Sequence, residues 1–498
     1  MRKIEVVIVL VLVGGCVTQS PGEHPAPGYE IDVSHLFDIP WDDYTPFDQG
    51  LVTSERSAST LSDATVYHID LDISEGCLSL KGHEAVCYTS MEEEPLHEVY
   101  FRLFPNIAGG NAVLSSVTVD GQAVEPYYEY ERSASRIPLT EDLLPGEKIV
   151  IEMDFTVEIP QETGDTYGLF GFLDGVLALD DFYPVIPVYD DEGWNVEIAP
   201  SHGDRTYLDA SFYLVRVTAP AALVVVASGI EVDHQKEGNE QVLAFVAGPA
   251  RDFYLAASEH FVVTKGESGE TTINSYCLEE RKERGETALW IAKNALETFS
   301  ARFGPYPYTE FDIVSTPMLA KGMEYPGIVA ISQELYDPQA MVMGLPSEVI
   351  LESTVAHETA HQWFYNVVGN DQVDEPWLDE AVVQYATGLY YEDVHGEASA
   401  EDYRESWDYL WGLVNWVDIP IGLPSGAYTD GEYQPIVYGR GPLFFIQLKE
   451  KLGPEFDVFL REYYESHKWG IGTAEAFRQQ AEEYCQCDLT ALFEEWVV

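Results

Sequence analysis

Positive charge is what this sequence has least of. Its 498 residues hold 26 Lys and Arg against 86 Asp and Glu, a formal net charge of −60. A surface this acidic repels phosphates, which excludes nucleic acid as a partner. The acidic residues are spread along the whole chain, so they read first as a solvated coat and only second as an attraction for cationic peptides. A long apolar run is also missing from the start of the chain. Val6 to Val13 is unbroken but falls far short of the roughly 20 residues that span a bilayer, which excludes a stable membrane helix there. Cysteine is scarce, at six residues, and none has the Cys-x-x-Cys spacing of a metal site. No internal repeat or low-complexity tract is present.

What is there begins with Arg2 and Lys3 ahead of the apolar run, the order of a secretion signal over residues 1–15. Val13-Gly-Gly-Cys16 resembles a prokaryotic lipobox, which predicts lipidation of Cys16 and export to the outer face of the cell membrane, with plain secretion as the alternative. Residues 16–60, rich in Pro, Ser, Asp and Gly, read as a lipid-anchored flexible tether. Five cysteines remain: Cys77, Cys87, Cys277, Cys485 and Cys487. Cys77 and Cys87 flank Lys81-Gly82, an expected turn, and could face each other across a hairpin. Cys485 and Cys487 are too close for easy pairing with each other, and the overall pairing stays open.

Hydrophobic residues make up 46% and aromatics 13%, ample for burial, and the length calls for at least two domains. Over 61–264 the pattern is of short alternating stretches, at 66–73, 149–157 and 210–217, separated by Gly, Pro and Asp turns, which predicts an all-β domain. Over 265–498 helical periodicity dominates, beginning with 283–303, which stops at Gly304-Pro305, and interrupted by a strand near Asp312. The predicted fold class is therefore multidomain, β then α+β.

The chemistry concentrates at Val355-Ala-His-Glu-Thr-Ala-His-Gln-Trp363. Pro346-Ser-Glu offers a helix start upstream, with Ser347 as its cap. On that helix His357 and His361 lie one turn apart on one face, so both imidazoles can reach one zinc ion, with Glu358 beside them to activate water. Glu380 follows His361 with eighteen residues between, in Glu375-Pro-Trp-Leu-Asp-Glu-Ala381. Pro376 suits a second helix start, and a helix returning beside the first would offer Glu380 as third ligand.

These residues resemble the gluzincin aminopeptidases related to aminopeptidase N and leukotriene A4 hydrolase. Lys321-Gly-Met-Glu-Tyr-Pro-Gly327 stands where that family has its Gly-x-Met-Glu-Asn motif, with Lys321 and Tyr325 as departures. Tyr438, in Val437-Tyr-Gly-Arg-Gly-Pro442, falls at the distance of the family's transition-state tyrosine. Phe303-Gly-Pro-Tyr-Pro-Tyr308, Leu103-Phe-Pro-Asn106 and the closing Asp488 to Trp496 also look like family landmarks. The resemblance spans residues 64–498. It implies a β-saddle domain followed by a thermolysin-like, mostly helical catalytic domain, in a short form without the C-terminal helical domain of longer relatives.

The resemblance further implies that Glu324 binds the substrate's free α-amine and that the backbone at Gly322 and Met323 pairs with an extended peptide. The family's second amine-binding side chain has no clear counterpart, and Asp180 or Asp181 stands in roughly that region. Arg440 is open between a substrate carboxylate and a structural ion pair. The reading that follows is a zinc aminopeptidase with one Zn²⁺ per chain and peptides as substrates. The alternatives are an endopeptidase or other zinc hydrolase on the same fold, and a non-catalytic peptide-binding surface lipoprotein. Preferred residue and oligomeric state are not legible.

Overall fold

A computed structural model describes residues 32–163 and 167–498. The expected signal peptide, Cys16 and the first half of the expected tether lie outside the described residues. The second half of that tether is not one. Val33, Leu36, Tyr44, Phe47, Leu51 and Ala58 are buried in the same core as the first long helix, carried on short 3₁₀ turns. Trp41 stacks on His68 with ring centroids 3.9 Å apart. Proline and serine set the composition here, but the aromatic and aliphatic residues between them supply enough apolar area to hold the segment down.

The β-rich part is built on an eight-stranded sheet. Its order is Ile230–Glu237, Glu240–Ala250, Ser211–Pro220, Val66–Ile73, Ser79–Thr89, Lys148–Glu158, Asn111–Val119 and Gln122–Ala123. The pairing of Val66–Ile73 with Ser211–Pro220 is parallel and the rest are antiparallel. Alternation makes the strands: along Lys148–Glu158, Ile149, Ile151, Met153, Phe155 and Val157 all face inward. A four-stranded sheet, Val224–Ala227, Leu255–Ser258, Val176–Leu179 and Phe170–Leu173, carries Asp180 and Asp181 just past the end of one strand.

The expected hairpin turn at Lys81-Gly82 is inside a strand instead. The chain reverses between Ile73 and Ser79, where Gly76 and Cys77 adopt positive φ. Gly82 is there for packing: a Cβ would sit 2.1 Å from the Phe155 ring. Cys77 therefore lies in the turn and Cys87 far along the strand opposite Val66, and both are free and buried, as is Cys277. The disulfide joins Cys485 to Cys487, the pair read as too close, with Cα atoms 5.1 Å apart. Gln486 takes the left-handed conformation at φ 51° where the helix ends, and this folds the chain back on itself.

A further sheet accompanies the helices. Phe261–Ser268 and Thr271–Leu278 join Glu310–Thr316, Ile328–Ser332 and Gly322–Met323 in a five-stranded sheet, with Gly322–Met323 at its edge. The helices are α1 (Lys282–Phe303), α2 (Ser347–Ala360), α3 (Trp377–His395), α4 (Glu397–Gly412), α5 (Gly441–Leu452), α6 (Phe456–Ser466), α7 (Ala474–Cys485) and α8 (Thr490–Trp496). Ser347 does not cap α2; its hydroxyl donates to the Asp337 carbonyl at 2.6 Å and pins the preceding loop. The core that joins α1, α2, α3 and α5 contains Phe299, Val355, Ala356, Trp363, Trp377, Ala381 and Phe444. An N-terminal β-rich domain followed by a helical part is thus the observed architecture.

Candidate active site

Side-chain placement follows from helix geometry. Residues four apart on α2 share a face, and α2 ends at Ala360, so His357 and the flanking His361 point to the same corner. Glu380, in the first turn of α3, meets them there. His357 Nε2 lies 3.0 Å from Glu380 Oε2 and 3.2 Å from His361 Nε2, and His361 Nε2 lies 3.5 Å from the same oxygen. All three are nearly or fully buried, with His361 only 1% exposed.

The outer nitrogens are occupied. His357 Nδ1 donates to Gln384 Oε1 at 3.2 Å, and His361 Nδ1 donates to the Phe364 carbonyl at 3.1 Å. Those bonds turn both Nε2 lone pairs toward one point, the arrangement of metal-ligating histidines. Charge agrees with geometry. Burial opposes protonation of His361, but Glu324 and Glu380 push its pKa up to about 10, so the corner favours a cation. Burial would raise Glu380, yet the bonds to the two imidazoles hold it well below the usual carboxylate range. Two imidazole nitrogens and one carboxylate oxygen within 4.8 Å of one another form a donor set that fits zinc.

Glu358 flanks this corner, and Glu324, Glu358 and His361 also converge within 4.8 Å. Burial pushes the Glu358 carboxyl up to about 8, against the pull of His357. Gly322 is required by this closeness: a Cβ there would fall 2.0 Å from Glu358 Oε1. The segment after Gly322–Met323 is tied to the end of α2 by Gln362, which donates to the Tyr325 carbonyl at 3.0 Å and accepts from Gly327 N at 2.9 Å. Tyr325, which replaces the family's asparagine, stacks on Tyr254 and donates to Asp180 at 2.8 Å. Lys321 donates to Glu334 at 2.8 Å on the exposed side. Tyr438 rides on a π-helical turn, Pro435–Arg440, and its hydroxyl donates to Glu380 Oε1. Such turns recur at functional sites because they re-aim one side chain.

Arg440 is not at the site. It is 2% exposed and donates to the carbonyls of Ile419, Trp496 and Glu495 at 3.1, 2.7 and 2.8 Å, with its guanidinium over the Trp496 ring. Its work is to dock the C-terminal helix α8, so the substrate role is withdrawn. Asp180 and Asp181 do lie close to Glu324, lining a shared cavity, but Asp180 is taken by Arg205 and Tyr325.

Several site residues were not anticipated. Gln384 follows Glu380 by one helical turn, a spacing that could have revealed it. Gln372 donates to Glu324 at 3.1 Å and to Asp379 at 2.9 Å, and Asp204 and Arg205 enter from the β-rich part with no sequence signal.

Comparison with known proteins completes the picture. Residues 287–496 match the peptidase family M1 domain. That stretch of the helical part is similar to M1 peptidase domains. "Probable aminopeptidase 2" of Sulfurisphaera tokodaii is 25% identical over 453 residues, covering 86% of this chain and 53% of that protein. "Aminopeptidase M1" of Arabidopsis thaliana is 26% identical over 280 residues, 53% of this chain and 31% of the plant protein. The chain thus spans about a third to a half of these curated relatives. The M1 zinc metallopeptidase of Deinococcus radiodurans shares the fold, with a TM-score of 0.63 at 18% identity, over 90% of this chain and 94% of that one. Similarity to the M1 domain implies zinc, and His357, His361 and Glu380 are the residues that fit it.

Proposed function

We propose that the chain is a zinc-dependent aminopeptidase acting on the N-terminal bond of peptides. The observation that carries this is the meeting of the His357–His361–Glu380 donor set with Glu358 and Glu324 beside the edge strand Gly322–Met323. Zinc held there supplies Lewis acidity, polarising a peptide carbonyl and making water a stronger acid. Glu358 takes the proton of the attacking water and passes it to the departing amine, a task suited to a carboxyl whose pKa lies near neutrality. The Tyr438 hydroxyl, kept protonated by burial and by Glu380, donates to the oxygen on which negative charge develops. Glu324, oriented by Gln372, receives the substrate's α-ammonium. The exposed edge of the sheet accepts the peptide backbone as an added strand. The Deinococcus enzyme, described as bound to Tyr-Ser-Ala substrate, supports peptide as the ligand class.

The test is hydrolysis of aminoacyl fluorogenic amides beside their N-acetylated counterparts, with zinc-loaded and zinc-stripped protein. Cleavage of the free-amine series alone, and only with zinc, is expected. Cleavage of blocked substrates at a similar rate would sink the exopeptidase assignment.

We also propose, from the residues ahead of Cys16, that the protein is exported and anchored by lipid at that cysteine. Incorporation of labelled fatty acid into the wild type but not into Cys16→Ser tests this; equal labelling of both would dismiss it.

A further inference from the structure

Beside Glu324 lies a cavity of about 230 Å³ with an unusual wall. Asp180, Asp181, Asp204, Asp252 and Glu324 all line it, and Arg205 is its one basic side chain among the described residues. Arg205 is spent on Asp180, whose other oxygen accepts from Tyr325 at 2.8 Å. Two further arginines act on Asp181 and Asp252 through charge alone, and the buried Arg102 Nε has no partner among the described residues. Arg102 donates to the Glu197 carbonyl at 2.8 Å, and Arg251 to the carbonyls of Tyr365, Leu208 and Gly470 at 2.6, 2.9 and 2.7 Å.

Two carboxylates are therefore left short. Asp181 and Asp252 are each 3% exposed, and Asp181 Oδ2 and Asp252 Oδ1 have no hydrogen-bond partner among the described residues. Asp252 Oδ2 is held by the Tyr365 hydroxyl, which orients the carboxylate. Burying unpartnered carboxyl oxygens costs free energy that nothing in the fold returns. Ile107, Leu169, Ile198 and Pro200 supply an apolar part of the wall, beside Ser201, Thr206 and Gln372.

We infer that this cavity receives the cationic side chain of an N-terminal arginine or lysine, its methylenes against the apolar wall and its head at Asp181 and Asp252. Long basic side chains bury their stems and keep their heads at polar partners, which is the pattern this wall offers. A guanidinium or ammonium supplies the positive charge that the acidic lining of the cavity lacks. A bare metal ion fits less well. Among the described residues the groups able to hold one are confined to the corner of His357, His361, Glu380, Glu324 and Glu358, so the cavity acids do not converge as a second ion requires. Burial and mutual repulsion raise Asp181 well above the usual range and Asp252 to about 8, which favours the neutral form of both.

The assignment rests on the aminopeptidase reading only in placing the α-amine at Glu324. Its test is independent of turnover: calorimetric binding of L-arginine and of its neutral isostere L-citrulline to the zinc-loaded full chain. Arginine is expected to bind at least about tenfold more tightly, the factor one buried charge-assisted hydrogen bond supplies. Asp181→Asn and Asp252→Asn should each lower that ratio. Because the ratio is internal to each sample, partial misfolding of a variant does not mimic the effect. Equal affinities in the wild type, or a ratio unchanged in both variants, would overturn the inference. A preference for arginine in a protein that hydrolyses no amide would uphold the cavity and overturn the peptidase reading instead. In an active enzyme, arginyl and lysyl amides should exceed the leucyl amide in kcat/KM by a similar factor; a leucyl amide cleaved as well or better counts against the cavity.

Discussion

In the cleft, Glu380 lies against two imidazoles and accepts from the Tyr438 hydroxyl, whereas Glu84, on the inward face of strand Ser79–Thr89, is fully buried with neither oxygen bonded. Both carboxyls are taken from water, with opposite results. Glu380 is held well below the usual carboxylate range by its neighbours, while burial alone drives Glu84 well above it. Leu80 and Val86 share the inward face with Glu84, so strand alternation places it in an apolar core. The contrast teaches that burial of an acid does not make a site. A site needs several donors converging on one point, each turned by a further partner, as Gln384 and Phe364 turn the two histidines.

The sharpest way to break the comparison is to remove the cleft's proton carrier. Glu358→Gln is expected to lower kcat about 10²–10⁴-fold, the usual share of general acid–base catalysis, with bound zinc retained by elemental analysis. A variant with near-native kcat would show that Glu358 is as idle as Glu84. Tyr438→Phe comes next, at about 10²–10³ in kcat for loss of one oxyanion donor. If its zinc content falls in step with activity, Tyr438 acts by orienting Glu380 and not on the substrate.

Gln384→Ala should weaken zinc about 10–100-fold in a chelator competition, because His357 loses the acceptor at its Nδ1. Unchanged affinity would mean that packing alone orients the ring.

The smallest effect lies in the other region. Glu84→Met should stabilise the fold by about 1–3 kcal/mol at pH 7, read from denaturant unfolding. The sign follows from the raised pKa. Above the unfolded carboxyl's value, near 4.5, the unfolded chain gains charge that the folded chain resists, so wild-type stability falls as pH rises from there. The gain from Met should therefore grow with pH and, below about 4.5, fall to the part set by burying a neutral, unbonded carboxyl. A constant gain across pH would attribute it to packing.

The metal corner was legible because its geometry is local. One helical turn separates His357 from His361, and a proline-led helix start presents Glu380, so spacing alone brought them together. The strands at 66–73 and 149–157 were legible for the same reason, since alternation is a property of neighbouring residues. Composition misled where a few apolar side chains outweighed many polar ones, at Leu36, Tyr44 and Phe47. Gly82 was misread as a turn because a glycine needed for Phe155 looks no different in sequence from one needed for a bend.

By itself, then, the sequence determined the order of β-rich and helical parts, the three converging donors, and Glu358 as the group beside them. Tertiary structure alone decided that Arg440 serves the last helix, that Cys485 pairs with Cys487, and that Asp181, Asp204 and Asp252 from the β-rich part meet Glu324. Those outcomes depend on a left-handed residue at a helix end, or on contacts between segments up to about 145 residues apart. No local periodicity records either.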